Sequence, residues 1–363
     1  MLLVQFILAF GFLVFIHEFG HFVAAKLQHI EVEEFGFGFP PKLFKLFTWK
    51  GTDFTLNAIP FGGFCRIVGE TDTDAPGGMS NASIWTRFSI LAAGPMMNLI
   101  AGILFFTITI ARVGTPDPSI VIVSSVTAGS PAAAAGLQAN DILRKVNDTI
   151  IDSSETMQNV VAEAEGNPIE ITYERDAELG VTSMTPAYNE EYQRHLIGIV
   201  MSNPHEKLPF FQAIPAALQM TYEQGTMIFK LPGMLSRGEI SKEEARLVGP
   251  ISMGRLFLDA REKDIETQAA QAETIPNQPT TELPAINTIL LMGILSIALA
   301  IGNLLPFPAL DGGRILLLLP EIITRKRVPL EFENALNAIG FAILIGLMVF
   351  VTAQDVINPI VIP

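Results

Sequence analysis

The chain has 363 residues, is 49% hydrophobic with a mean hydropathy of +0.41, and carries a formal net charge of -14. That acidity argues against nucleic-acid binding, and a single cysteine, Cys65, excludes an intramolecular disulfide. The apolar residues fall in long uncharged runs, which excludes an ordinary soluble domain.

Taken in chain order, the first such run lies between Met1 and Lys26, where the only ionisable side chains are His17, Glu18 and His21. It exceeds the ~20 residues that cross a bilayer as a helix. No basic residue precedes Lys26 and the core holds His and Glu, so it reads as a retained span rather than a signal peptide. Lys26 closes it on the side expected to face inward. Residues 27–85 follow, rich in Phe and Gly, with broken alternation that predicts short strands and turns against the membrane face. The second span lies between Arg87 and Arg112.

Residues 113–286 carry 12 Lys/Arg against 24 Asp/Glu and are expected outside. Within them, 115–203 read as a small α+β module. "SIVIVSSV", "PIEITYERD" and "RHLIGIVMS" are predicted strands, and "QNVVAEAEG" a helix. The stretch "SPAAAAGLQANDILRKVN" resembles a bacterial PDZ domain, through its helix, its Gly136-Leu137 turn and Asp141. That resemblance implies strand-addition peptide binding; a steric filter on the same fold is equally open. Residues 204–262 are expected to form amphipathic helices at the outer surface, and 267–284 a polar linker. Uncharged runs from Glu282 to Asp311 and from Glu333 to Asp355 supply the third and fourth spans. Arg314, Arg325, Lys326 and Arg327 mark the loop between them as cytoplasmic.

The expected fold is thus a multi-pass α-helical membrane protein with four transmembrane helices, a membrane-associated β-hairpin region and an inserted α+β PDZ domain. Its parts are 1–113, 114–204 (the PDZ domain), 205–284 (surface helices and linker) and 285–363.

"HEFGH" at 17–21 raises the chemical question. His17 and His21 share a helix face, with Glu18 about 100° round. H-E-x-x-H is the spacing of a zinc site in which two imidazoles hold the ion and the Glu acts as general base. Ionisable groups inside a span are functional by default. Counting back from Lys26, His21 and His17 lie about 8 and 14 Å along the helix, inside the membrane and nearer the cytoplasm. A catalytic zinc wants a third protein ligand. His29, His195 and His205 are badly placed. The candidate is Asp311 in "GNLLPFPALDGGRIL", where Pro306 and Pro308 break the third span and Gly312 and Gly313 continue the break. The alternative for Asp311 is an end residue paired with Arg314.

"HEFGH", "NLLPFPALDGG" and the PDZ-like stretch between them resemble the site-2 protease family, in particular the bacterial regulator-of-sigma-E protease group with a single PDZ domain. "GFGFP" at 36–40, "IPFGGFCRIVGE" at 59–70, "GPMMN" at 94–98 and "GPISM" at 249–253 add to the resemblance. It implies a Zn²⁺ endopeptidase of the bacterial inner membrane that cuts substrate helices within the bilayer. His17, His21 and Asp311 would be its metal ligands and Glu18 and Asn303 its catalytic residues. Gly36, Gly38, Asn98 and Pro308 would bind substrate, the glycines on a hairpin that pairs with the unwound helix. Implied partners are pre-cleaved membrane proteins with one transmembrane helix, the lipid bilayer, and no nucleic acid. The PDZ domain would lie on the periplasmic side. Two other readings are a membrane-anchored zinc protease acting on soluble loops, and a PDZ adaptor or transporter without zinc.

Overall fold

The structure is a computed structural model and describes residues 2–70, 77–189, 194–238, 240, 246–274 and 285–359. The chain divides into two compact units. One comprises Met1–Thr109 with Phe210–Pro363, and the other Ile110–Pro209. The second unit therefore opens and closes a few residues outside the predicted limits of 114 and 204.

Helix α1 (Leu2–Leu27) is followed by β1 (Val32–Trp49) and β2 (Thr52–Ile67), then by α2 (Ile84–Val113). The predicted short strands are two long ones that bend back on themselves, β1 at Pro40-Pro41 and β2 near Pro60. Proline lacks an N–H and cannot continue a ladder there. The first arm of β1 is consequently flanked on both sides by β2: Gly36 pairs with Phe64 and also with Thr55, and Phe37 with Gly63 and with Leu56. The tip turns through Lys50 (φ 46) and Gly51 (φ 81) between the paired Trp49 and Thr52, the two left-handed residues of a type I′ turn. Phe22, Phe35, Ile67, Ile90, Leu91 and Leu318 form the core between this sheet and the helices.

The second unit contains β3 (Thr115–Pro116), β4 (Val121–Val126), α3 (Pro131–Ala134), β5 (Ile142–Val146), β6 (Thr149–Ile150), α4 (Ser154–Glu163), β7 (Ile169–Arg175), β8 (Glu178–Met184), β9 (Ala187–Asn189), β10 (Arg194–Leu196), β11 (Ile199–Ser202) and β12 (His205–Glu206). Its main sheet runs β11-β4-β5-β7-β8, with β6 on β5. Val121, Val123, Leu143, Ile169 and Ile171 alternate inward to meet Met157 and Val161 of α4. Gly136 adopts the left-handed conformation (φ 80) anticipated for it. Buried Asp141 accepts the Gln138 amide at 2.8 Å and is gripped by both Nε (2.6 Å) and Nη2 (2.7 Å) of Arg175. That carboxylate holds the Arg175 guanidinium above its ordinary pKa. "RHLIGIVMS" makes two strands rather than one, because Gly198 (φ 79) turns the chain between them.

Five helices complete the first unit: α5 (Phe210–Arg237), α6 (Pro250–Thr274), α7 (Ile286–Leu304), α8 (Asp311–Thr324) and α9 (Leu330–Ile357). Helix α5 runs unbroken through Pro215 and Pro232, burying the stripe Ala213, Ala217 and Thr221. Residues 267–274 of the predicted linker continue α6, and the remaining 275–284 lie outside the described residues. The loop expected after the third span holds an amphipathic helix, α8. Four helices, Val4–Leu27, Ile84–Val113, Ile286–Leu304 and Glu331–Ile357, are long and apolar enough to cross a membrane.

Helix α6 links the ends of three of them. Phe257 meets Phe6 of α1 (centroids 5.7 Å). Asp264 accepts the amides of Asn287 (2.9 Å) and Thr288 (3.1 Å) at the start of α7, and Asp355 of α9 accepts the Ser252 amide (2.9 Å) at the start of α6. Each carboxylate satisfies helix N-terminal donors that would otherwise be unpaired.

Candidate metal centre

The two histidines lie one turn apart on α1, both buried. Opposite them α2 approaches closely. A Cβ added at Gly20 would stand 2.7 Å from Met97 Cγ and 2.8 Å from the Ala93 carbonyl carbon. At that crossing Gly94 faces the imidazoles. A Cβ there would overlap His21 Nε2 and stand 2.8 Å from His17 Cε1, so a residue without a side chain leaves the space the rings occupy.

His21 Nδ1–H donates to the Ile90 carbonyl at 2.8 Å, a partner that leaves the Nε2 lone pair facing inward. His17 Nδ1 lies 3.5 Å from the Asn98 amide nitrogen, and Asn98 Oδ1 is buried without a partner. Turning that amide over puts its oxygen on His17 Nδ1–H and satisfies both groups. Asn98 is itself fixed behind α7, where Ser296 Oγ donates to its carbonyl at 2.7 Å. It is fully buried behind His17.

Asp311 is the first residue of α8. The break after α7 forms at the predicted prolines, but Gly312 and Gly313 belong to the first helical turn rather than to the break. Their Cβ positions would fall on the carbonyls of Leu304 and Phe307, so the pair lets α8 start against the end of α7. This brings Asp311 Oδ2 to 3.1 Å from His17 Nε2 and 3.5 Å from His21 Nε2, with the two Nε2 atoms 3.1 Å apart. Arg314 pairs with Glu70 and Glu333 rather than with Asp311.

Donors about 2.0–2.2 Å from a tetrahedral zinc stand about 3.3–3.6 Å from one another. The observed 3.1, 3.1 and 3.5 Å come within about 0.2 Å of that triangle. Buried Asp311 Oδ2 faces the two Nε2 atoms and has no other hydrogen-bond donor, so the three atoms need a shared cation or a proton between them. The donor set, two imidazoles and a carboxylate with room for a fourth ligand, fits zinc.

Glu18 lies on the rim of the same cavity, about 210 Å³, and its Oε2 accepts the Cys65 amide N–H at 3.1 Å. Cys65 N–H therefore points away from β1 and toward α1. The Cys65 thiol also lines the cavity; burial, with Glu18 and Glu70 nearby, raises its pKa and keeps it protonated. Asn303 lines the cavity while its Nδ2 donates to Leu299 O at 3.1 Å in its own helix. Pro308 packs on Gly340 of α9 and is not among the residues that line the cavity. Gly36 has strands on both sides, and a Cβ there would stand 2.8 Å from Asn57 Nδ2; Gly38 is left-handed (φ 79). Residues 63–66 form an outer arm of β2, on the Glu18 side, where the Cys65 N–H is already taken by the Glu18 carboxylate.

The sequence matches the profile of Peptidase family M50 over residues 5–347. It is 33% identical over 358 residues, 98% of each chain, to "Putative zinc metalloprotease CPE1693" of Clostridium perfringens. It is 27% identical over 439 residues, again 98% of each, to "Probable protease eep" of Enterococcus faecalis. Similarity to the solved PDZ domain of the SdrC-like protein from Listeria monocytogenes covers 24% of this chain and 90% of that one, at 23% identity and a TM-score of 0.22, and adds nothing to the strand order above. With a family match over almost the full length, the chain belongs to Peptidase family M50, the site-2 proteases, and is a zinc metalloprotease.

Proposed function

We propose that the chain cuts transmembrane segments of membrane proteins inside the bilayer, with zinc held by His17, His21 and Asp311 and with Glu18 as general base. The observation that carries this is the convergence of two imidazoles and a buried carboxylate from two apolar stretches far apart in sequence, with Glu18 on the same cavity. Bound zinc supplies Lewis acidity to the attacking water and the scissile carbonyl. Glu18, held by the Cys65 amide, accepts the proton of the attacking water and delivers a proton to the leaving nitrogen. Asn303 would donate to the oxyanion after releasing the Leu299 carbonyl.

The topology reading rests on α6, which links the start of α1, the start of α7 and the end of α9. Those ends share one side only if the spans alternate in direction. Lys26, Arg87, Arg314 and Arg325 fall at the other ends, the side nearer the metal centre, which the positive-inside rule makes cytoplasmic. The acidic unit 110–209, expected to be a PDZ domain, would then face the periplasm and exclude substrates with bulky ectodomains. A substrate helix has its carbonyls in hydrogen bonds and must unwind to be cut. Its freed groups can pair with the outer edge of β2 at 63–66, beside Glu18. Substrates would be single-span proteins trimmed beforehand, in a bacterial inner membrane.

Glu18→Gln should abolish cleavage of a single-span substrate while zinc content stays near one per chain. Asp311→Ala should lose the zinc. Retained proteolysis by the first variant, or unchanged metal in the second, would remove those residues from these roles. Mass spectrometry of the products should find new termini inside the hydrophobic segment. Cuts confined to soluble loops would favour a membrane-anchored protease facing water.

A further inference from the structure

Apart from the metal cavity, the first unit holds a larger groove of about 630 Å³ between the end of α1 and the β1–β2 tip. One wall is a single face of α1: Phe19, Phe22, Val23, Lys26 and Leu27, at the i, i+3, i+4, i+7, i+8 spacing. The other is Trp49, Lys50 and Phe54 of the hairpin. The two walls are tied together, because Lys26 Nζ donates to the Lys50 carbonyl at 3.0 Å. Lys26 also sits over the Phe22 ring (5.9 Å) and Lys50 over Trp49 (4.9 Å).

Polarity changes along this groove. From Phe19 to Lys26 is about 10 Å of helix. The deep part is walled by aromatic and aliphatic side chains. The mouth carries Lys26, Lys50 and His29 against one carboxylate, Glu31. An apolar slot closing on cations at a membrane surface has the order of a phospholipid, acyl chain below and phosphate above. The volume is in the range of pockets that hold one such chain. Paired lysines at that level select negative charge in the headgroup.

We propose that this groove binds one anionic phospholipid of the cytoplasmic leaflet, its acyl chain between α1 and the hairpin and its phosphate at Lys26 and Lys50. The proposal rests on α1 crossing the membrane with its Lys26 end inward, as proposed above, and not on the protease reading.

The groove contains its own reporter. The chain has two tryptophans, and Trp85→Phe, at an exposed site in the first turn of α2, leaves Trp49 alone. Full-length W85F is reconstituted in phosphatidylcholine vesicles. Quenching of Trp49 is followed as brominated phosphatidylglycerol or brominated phosphatidylcholine is titrated in. At about fivefold per lysine, phosphatidylglycerol should be preferred on the order of 25-fold. K26Q/K50N should bring the two lipids within about twofold; Asn at 50 keeps the left-handed φ of 46 comfortable. V23F, which fills the slot, should weaken quenching by both. K50N alone, on an exposed turn, should give the fivefold change if the double variant does not fold. Equal quenching by the two lipids in the parent would overturn the proposal, as would a preference that survives loss of both lysines. Quenching relieved by an added single-span substrate would assign the groove to substrate instead. Zinc content, read on the same samples, tests the metal centre separately.

Discussion

Gly94→Ala adds one methyl at the point where α2 faces both imidazoles. Its ideal Cβ would stand 2.7 Å from His21 Cε1 and 2.8 Å from His17 Cε1. Carbon atoms rest about 3.5–4.0 Å apart, so the rings must withdraw by about 0.7–1.3 Å. Metal-ligand distances tolerate roughly 0.2 Å. The two Nε2 atoms and Asp311 Oδ2 cannot then hold their 3.1–3.5 Å triangle. Zinc affinity should fall by at least the 10–100-fold seen when groups that orient ligands are lost, about 1.4–2.8 kcal/mol. Alanine is a better helix former than glycine by about 1 kcal/mol, so propensity alone would predict a more stable protein. Gly346 in α9 supplies the comparison, because a Cβ there meets nothing within 4 Å. G346A should gain up to that 1 kcal/mol with zinc unchanged. Competition with a chromophoric chelator measures affinity, and thermal unfolding in detergent measures stability. If G94A holds zinc within twofold of the parent and melts higher, the tripod is not crowded as described and the argument fails.

The pair Arg87–Glu321 joins α2 to α8 at 2.5 Å with both partners largely buried. Removing one buried partner strands the other, so R87M should cost about 3–5 kcal/mol, and R87M/E321L should recover most of it; thermal unfolding of both decides, and a loss below about 1 kcal/mol for R87M would deny the pair its weight. N303A should lower kcat by roughly 10²–10³ with zinc content unchanged, if its amide reaches the oxyanion; single-turnover cleavage that proceeds at the parent's rate would exclude it. Zinc added back to chelated protein at about 100 times its Kd should stabilise the parent and E18Q by about 2.7 kcal/mol and D311A by almost nothing, a difference visible in melting curves.

What the sequence discloses, and what it withholds, follows from which atoms act. Side-chain chemistry is legible. His17 and His21 declare their shared face by spacing, and Asp311 by standing at a proline-broken end at matching depth. The four apolar helices are legible because a bilayer demands uninterrupted hydrocarbon over a fixed length. Backbone roles are not. The carbonyl of Ile90 orients His21 and the amide of Cys65 holds Glu18, and any residue type but proline would offer both groups. Only the surrounding glycines leave a trace: "GPMMN" begins with the residue that clears space for both imidazoles, a reading that needs α2 set against α1 first.

The sheet misleads for a related reason. "GFGFP" looks like an open, flexible edge because it is glycine-rich and stops at proline. Yet β2 folds back on both sides of it, since the bends at Pro40-Pro41 and Pro60 let each long strand pair twice. Proline marks where a ladder stops, but strand order decides which edge remains free. Here the outer arms are 42–48 of β1 and 63–66 of β2, and the second has Glu18 as its neighbour. A substrate strand added there would extend the same backbone segment whose Cys65 amide holds Glu18, the proposed general base. Binding and proton transfer would then share one strand. Under the proposed intramembrane cleavage, unwinding the substrate and seating its scissile carbonyl near the metal would become one event, driven by backbone hydrogen bonds that water cannot satisfy at that depth.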